Sequence, residues 1–514
     1  MQNSHNQENE LRGSSSSLLL SLPEELIEHV CQQFSSCRDR RSLAFLCRTS
    51  KTLNRIGTRF LYSKFSSGGY MSRLAFFLRT LCERPDLGTY VHSLSLGSDI
   101  WFRLPQEHID FISKAAERFG LDVAVPLMPS GYPSGGSDDE ESEDGEGDED
   151  QLGSNDSSEG EVEHNGHISG REEDKEEAYE RSQLGQYPFE TMAQLTIALT
   201  PNLRELQVTA RQIMCDDGEG AFTLLEELAK RSPPPVSLPH LRHFSFGHED
   251  CREVSFKYFE GVIVLAPNIR TIHGHPCFDQ PRYAPEAPIN ISNVTELRFK
   301  SGHLSATGLR AILSSCERLE IFQYHYDTIY AGLDPGCATP REIVDILSKH
   351  KDSLRYIYID LGSREEHQGG LFFGFCIEGQ EILSLREFSC LETFNIDGSS
   401  ILFPEAGSKK YHTNILVDML PRSIRNLRLK DMQKEAATNL VTLTDSIDSF
   451  PQLSEVFLNG NGIGGPLGKF EVIFEESEID LLRERLTSRG IRFLKQSPSR
   501  WEYISDDEET TEDW

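Results

Sequence analysis

The chain has 514 residues, 82 of them acidic and 51 basic, with a formal net charge of −31 and 37% apolar residues. No apolar run approaches the roughly 18 residues that a membrane span needs, which excludes a membrane-embedded class. Its 11 cysteines, an odd number without C-x-x-C pairs, argue for the reduced thiols of a cytosolic or nuclear protein, and a length of this size suggests about three domains if nothing repeats.

The first 20 residues form a polar leader. It lacks a basic start, the apolar run Leu18 to Leu22 is short and no A-x-A site follows, so secretion is excluded. In "SLPEELIEHVCQQF" (21 to 34), Ser21 and Glu24 have the spacing of a capping box and Pro23 lies in the first turn, so a helix is predicted to begin here. Leu26, Ile27, Val30, Cys31 and Phe34 recur on one face, giving an amphipathic helix of about three turns that needs a partner surface.

Residues 66–133 read as a linker helix and the first repeat-like units. Between Ser134 and Ser182 the chain is mostly Gly, Ser, Asp and Glu. Ser137 to Glu180 holds 20 acidic and 2 basic residues and Asp506 to Asp513 six acidic ones, so −18 and −6 of the charge sit there and −7 on the rest. The 134–182 stretch is predicted to be a disordered insertion, since there is almost nothing to bury, and residues 498–514 read as an acidic tail. A solvated spacer is one reading; a lure for a basic partner, or kinase sites at Ser137 and Ser505 with an acidic residue at +3, are others.

Over 183–497, and once before it, one unit returns: a helical stretch, then a short run of L-x-x-L-x-L type. The runs are "VHSLSL" (91 to 96), "LRELQV" (203 to 208), "LRHFSF" (241 to 246), "IRTIHG" (269 to 274), "VTELRF" (294 to 299), "LEIFQY" (319 to 324), "LRYIYI" (354 to 359), "LETFNI" (391 to 396), "IRNLRL" (424 to 429) and "LSEVFL" (453 to 458). From the second run onward the steps are 38, 28, 25, 25, 35, 37, 33 and 29 residues, a loose period of the kind solenoids have. Helical stretches such as "FTLLEELAKR" and "REIVDILSKH" precede many runs, and such alternation predicts an α/β fold with a parallel sheet. Side chains alternate across a strand, so one residue per run faces away from the core: Ser95, Gln207, Ser245, His273, Arg298, Gln323, Tyr358, Asn395, Arg428 and Phe457, with Thr271, Lys300, Tyr356, Lys430 and Glu455 beside them. Aromatic and Arg side chains dominate binding hot spots, which makes Arg298, Tyr356, Tyr358, Arg428 and Phe457 the candidate substrate-binding residues.

The runs resemble a leucine-rich-repeat array from about residue 90 to 495, departing from it in that no Asn or Cys recurs at fixed spacing after the L-x-L. Residues 21–65 resemble an F-box, carried by Leu22-Pro23, Leu26-Ile27 and Val30, then Leu43, Leu46 and Cys47, then Leu53, Ile56 and Leu61-Tyr62. The resemblance implies a short helical F-box followed by an irregular leucine-rich-repeat-like solenoid. It implies that Leu22, Pro23, Leu26, Ile27, Val30, Leu43 and Leu46 bind a Skp-type adaptor of a cullin ubiquitin ligase (SCF) core. The repeats would then hold a protein substrate, with no cofactor, no metal, no nucleic acid and no membrane among the partners. A repeat scaffold that engages a basic protein without ligase activity is the alternative.

Enzyme signatures fail on inspection. In "NGNGIGGPLGKF" (459 to 470) a phosphate loop ending at Lys469 would need Gly where Ile463 stands and a hydroxyl where Phe470 stands. His240, His243, His248 and Cys251, and His273, His275 and Cys277, lack the paired-cysteine spacing of zinc fingers and read as strand-edge residues.

Overall fold

The computed structural model describes residues 22–34, 39–98, 106–120, 188–210, 222–247, 256–275, 277–278, 290–326, 337–361, 380–401, 414–430, 435–459 and 476–496. The leader 1–20, the acidic stretch 134–182 with Ser137, the glycine-rich 460–470 and the tail 498–514 with Ser505 lie outside them. Two units are distinguished, Met1–Phe102 with Glu190–Trp514, and Arg103–Phe189.

Three short helices open the larger unit: α1 (Glu24–Gln33), α2 (Arg40–Thr49) and α3 (Lys51–Leu61). Ser21 of the predicted capping box lies outside the described residues, and Glu24 is the first residue of α1. Pro23 is its N-cap residue, no side chain caps it, and Glu24 accepts two bonds from the Arg55 guanidinium instead, at 2.9 and 2.7 Å. That fork offers Glu24 two charge-assisted bonds where the box would offer one. By contrast, α3 is capped by Ser50, whose hydroxyl accepts from the Leu53 amide at 3.1 Å.

The strand β1 (Lys64–Ser66) follows, then α4 (Met71–Glu83), α5 (Pro85–Gly88) and β2 (Ser93–Ser98). The described part of the smaller unit is chiefly α6 (Gln106–Glu117). Thereafter helix and strand alternate: α7 (Pro188–Ala198), β3 (Glu205–Ala210), α8 (Thr223–Lys230), β4 (His243–Gly247), α9 (Glu260–Leu265), β5 (Thr271–His275), the two-residue β6 (Cys277–Phe278), β7 (Glu296–Phe299), the two-residue β8 (Gly302–His303), α10 (Ala306–Ser314) and β9 (Ile321–His325). They continue through α11 (Pro340–Leu347), β10 (Tyr356–Asp360), β11 (Thr393–Asp397), α12 (Ile415–Met419), β12 (Asn426–Lys430), α13 (Glu435–Asp445), β13 (Glu455–Asn459), α14 (Glu476–Ser488) and β14 (Arg492–Gln496). All strands but β6 and β8, which pair with each other, form one twelve-stranded sheet in which every pairing is parallel and strand order follows chain order.

All ten runs read from the sequence are strands of this sheet; β1 and β14 are additions. The spacing explains both facts. In each run the first, fourth and sixth positions point one way, as Leu354, Ile357 and Ile359 do, all fully buried beneath half-exposed Tyr356 and Tyr358. Burying each such side chain stabilises by about 1.5–3 kcal/mol, enough in sum to fix the register. The helices supply the other half of this core. Phe244 and Phe246 of β4 meet Phe259 at ring-centroid distances of 5.3 and 4.8 Å, and Phe222, just ahead of α8, lies 5.0 Å from Phe259. The strand β1 carries one apolar residue, and β14 keeps only Phe493 of the pattern, with Gly490 and Lys495 at its other two positions, so neither stands out.

The absence of a recurring Asn or Cys after each L-x-L has a counterpart on the other side of the strand. Asn202, Asn268 and Asn293, each just ahead of the first core residue, donate to the carbonyls of Thr89, Pro239 and Pro267 in the preceding turn at 2.7–3.0 Å. Farther along, the hydroxyls of Ser353, Ser423 and Ser454 donate to Leu319, Leu391 and Arg425 carbonyls at 2.7, 2.8 and 3.1 Å. Each adds a side-chain bond to a turn carbonyl, tying neighbouring turns together.

Candidate functional site

Two surfaces collect the sequence candidates. The first is the N-terminal helical cluster, whose core is Ile27, Cys31, Leu43, Cys47, Leu53 and Ile56, with Phe34, Leu46, Phe60 and Leu61 packed against it. α2 and α3 approach so closely that a Cβ on Gly57 would lie 2.5 Å from the Cys47 sulfur. Burial pushes the Cys31 and Cys47 thiols above their ordinary pKa. Arg55 holds Glu24 and Arg59 holds Glu28, tying α3 to α1 on the solvent side.

Of the seven adaptor candidates, Leu22, Pro23 and Leu26 are exposed, Val30 and Leu46 are half-buried, and Ile27 and Leu43 are buried. Ile27 and Leu43 are therefore corrected from contact residues to interior ones, because the other two helices of the same cluster already cover them. One exposed apolar residue was missed: Phe45 on α2, 64% exposed. Its signal is its place midway between Leu43 and Cys47, which share the inward face at i, i+4 and leave Phe45 on the opposite side.

The second surface is the sheet face turned away from the helices. Ser95, Gln207, Ser245, His273, Arg298, Gln323, Tyr358, Asn395, Arg428 and Phe457 are Cα partners in series, so they form one lateral row across ten strands, continued by Leu494 on β14. Neighbours along it are about 4.8 Å apart. Tyr356 and Glu455 lie one row nearer the strand starts. Two adjacent candidates, Thr271 and Lys430, are corrected from exposed to buried, at 7% and 4% exposure.

Lys430 is buried because of an arrangement that sequence reading missed. Its ammonium donates to Asp360, 1% exposed, across the intervening β11. Tyr358 donates its hydroxyl to the same Asp360 oxygen at 2.9 Å, and His325 stands 3.6 Å from it. Burial alone would raise the Asp360 pKa; the charges of Lys430 and His325 and the bonds from Lys430 and Tyr358 outweigh it and hold the carboxyl below its usual range. Beside it, the Asp397 carboxyl accepts from the Leu361 amide, the Ser400 amide and the Ser400 hydroxyl at 2.9, 3.1 and 2.7 Å. This polar cluster sits at the C-terminal ends of β10–β12.

Arg298 is likewise engaged. Its Nε donates to Glu296 at 2.7 Å, and His273 lies 3.2 Å from the same oxygen. Burial pushes the Glu296 pKa up, but His273 and Arg298 overcome it and the carboxyl stays below its ordinary value. Arg428 differs: its buried Nε has no hydrogen-bond partner, and among the described residues no carboxylate pairs with it. Phe457 is its half-buried neighbour on β13.

These placements separate stability from surface on one strand. Ile357→Ala should cost about 2–5 kcal/mol by opening a cavity in the core. Tyr358→Phe should cost less, about 1.5–3 kcal/mol at most, the loss of one hydrogen bond to a charged group. Urea denaturation of both variants checks the pair.

Among the described residues no group of three His, Cys, Asp or Glu is placed to hold a metal, and no helix is long and apolar enough to cross a membrane. His248 and Cys251 lie outside the described residues. The chain matches no family model and no curated protein.

Proposed function

We propose that the chain is a non-catalytic substrate receptor. On this reading α1–α3 are an F-box that docks a Skp-type adaptor of a cullin ubiquitin ligase, in cytosol or nucleus. The outward face of a leucine-rich-repeat-like solenoid then captures a protein substrate. One juxtaposition carries the reading: a three-helix cluster that has closed its own core still exposes Leu22, Leu26 and Phe45, and two residues after its last helix the sheet begins. Exposed apolar side chains grouped on a small helical unit are what a partner surface needs.

The experiment is a pull-down of the tagged full chain with adaptor and cullin. The double variant Leu26→Asp, Phe45→Asp should lose the adaptor at least tenfold while its circular dichroism and melting temperature stay those of the parent, since both side chains already face water. Adaptor retention by the double variant would sink the reading. Capture of a basic protein that depends on residues 134–182, with no adaptor bound, would favour the scaffold alternative.

A further inference from the structure

On the outward-facing parity of the strands one cation differs from the rest. Arg298, Lys430 and Arg492 each have a carboxylate partner, in Glu296, Asp360 and Glu455. Arg428 has its Nε buried and unpartnered, and no carboxylate among the described residues pairs with it. Arg428 is half-buried and only its Nε is withdrawn from water, so its fork stays accessible, and a planar carboxylate that meets it gains two parallel charge-assisted bonds. Its row neighbours are neutral: Asn395 on one side, Phe457 on the other, and Leu494 beyond.

We infer that Arg428, Phe457 and Leu494 form a subsite for a peptide carrying a carboxylate side chain, Asp or Glu, with a large apolar residue two positions away. This inference rests on the reading that the outward face captures protein. Charge selects a carboxylate over a phosphate. The Asp360 and Asp397 carboxyl groups stand on the same face at the strand ends, and the nearby Lys430 is already committed to Asp360, so a second negative charge would find no second cation. Spacing selects the apolar position. Alternate side chains of an extended peptide are about 6.8 Å apart, between one and two strand separations of about 4.8 Å, which carries the second side chain from above Arg428 to Phe457 or Leu494.

The test pans a phage-displayed random heptapeptide library against the full chain and measures the enriched peptides by fluorescence anisotropy. Enrichment of Asp or Glu followed two positions on by an apolar residue is expected. Affinity should fall at least about tenfold with Arg428→Gln, or with Glu→Gln in the peptide, and fall less with Arg428→Lys. A phosphoserine in place of the acidic residue should bind more weakly. An unchanged melting temperature of Arg428→Gln assigns the loss to recognition. Peptides that bind the row through Phe457 yet ignore Arg428→Gln would overturn this inference and leave the receptor reading standing. Tighter binding of the phosphoserine peptide would overturn the choice of carboxylate. If no peptide is enriched on this face, both the inference and the outward-face capture fail, while the adaptor pull-down still judges the helical end.

Discussion

Lys430→Met should destabilise the protein by about 3–5 kcal/mol, because it leaves Asp360 buried with its ammonium partner gone. The double variant Lys430→Met, Asp360→Leu should recover most of that loss, since an apolar pair of similar volume carries no uncompensated charge. Acidity separates the two. The folded-state pKa of Asp360 is depressed, so its contribution is present above the ordinary Asp value and is lost as pH falls through the lower folded value. With Lys430 removed, burial dominates and raises that pKa, so the deficit of the single variant should shrink on acidification. Urea titrations at pH 7 and at the lowest pH where the parent stays folded measure both effects. A single variant as stable as the parent at pH 7 would mean that the pair is not closed in solution.

Ile27→Asp should unfold the helical cluster rather than merely strip a contact. Ile27 is 2% exposed among Cys31, Leu43 and Ile56, and an unpaired carboxylate there costs several kcal/mol. Three short helices have little margin to absorb such a cost. The expected result is loss of helical ellipticity and of any adaptor binding together, with the cooperative transition of the sheet retained. Leu26→Asp, one residue away and exposed, should leave the ellipticity intact. Equal behaviour of the two variants would show that the burial contrast between adjacent residues does not govern this helix.

The adjacent pair also marks what a sequence can and cannot disclose. An apolar stripe on α1 announces that some surface will be covered, but the cover for Ile27 comes from α2 and α3 of the same chain, which only the packing reveals. Strand faces were far more legible. In "LRYIYI" the strand parity buries Ile357 and Ile359, with Leu354 buried in the turn just ahead of it, and repeating that pattern strand by strand put all ten chosen positions in one row. Asp360 and Lys430 escaped because each lies just past the periodic run, where a charged residue ordinarily ends a strand in water. The asparagine bonds were visible as "PN" and "SN" ahead of three runs, but they sit on the side of the strand where the usual repeat pattern does not look.

Because strand order follows chain order, among the described residues β1 and β14 are the edges of the large sheet and lie at opposite ends of it. Alternate residues of a parallel strand turn their amide groups to the same neighbour. Ser63 turns its carbonyl to the β2 side, where the His92 and Ser93 amides reach it, so the Lys64 carbonyl points outward from β1. Arg40 of α2 donates to that carbonyl. At the far end β14 presents exposed Arg492 and Lys495, charged groups that oppose the docking of another strand. The helical cluster thus covers an outward backbone acceptor of the β1 edge, and a truncation starting at β1 is expected to self-associate more readily than the full chain.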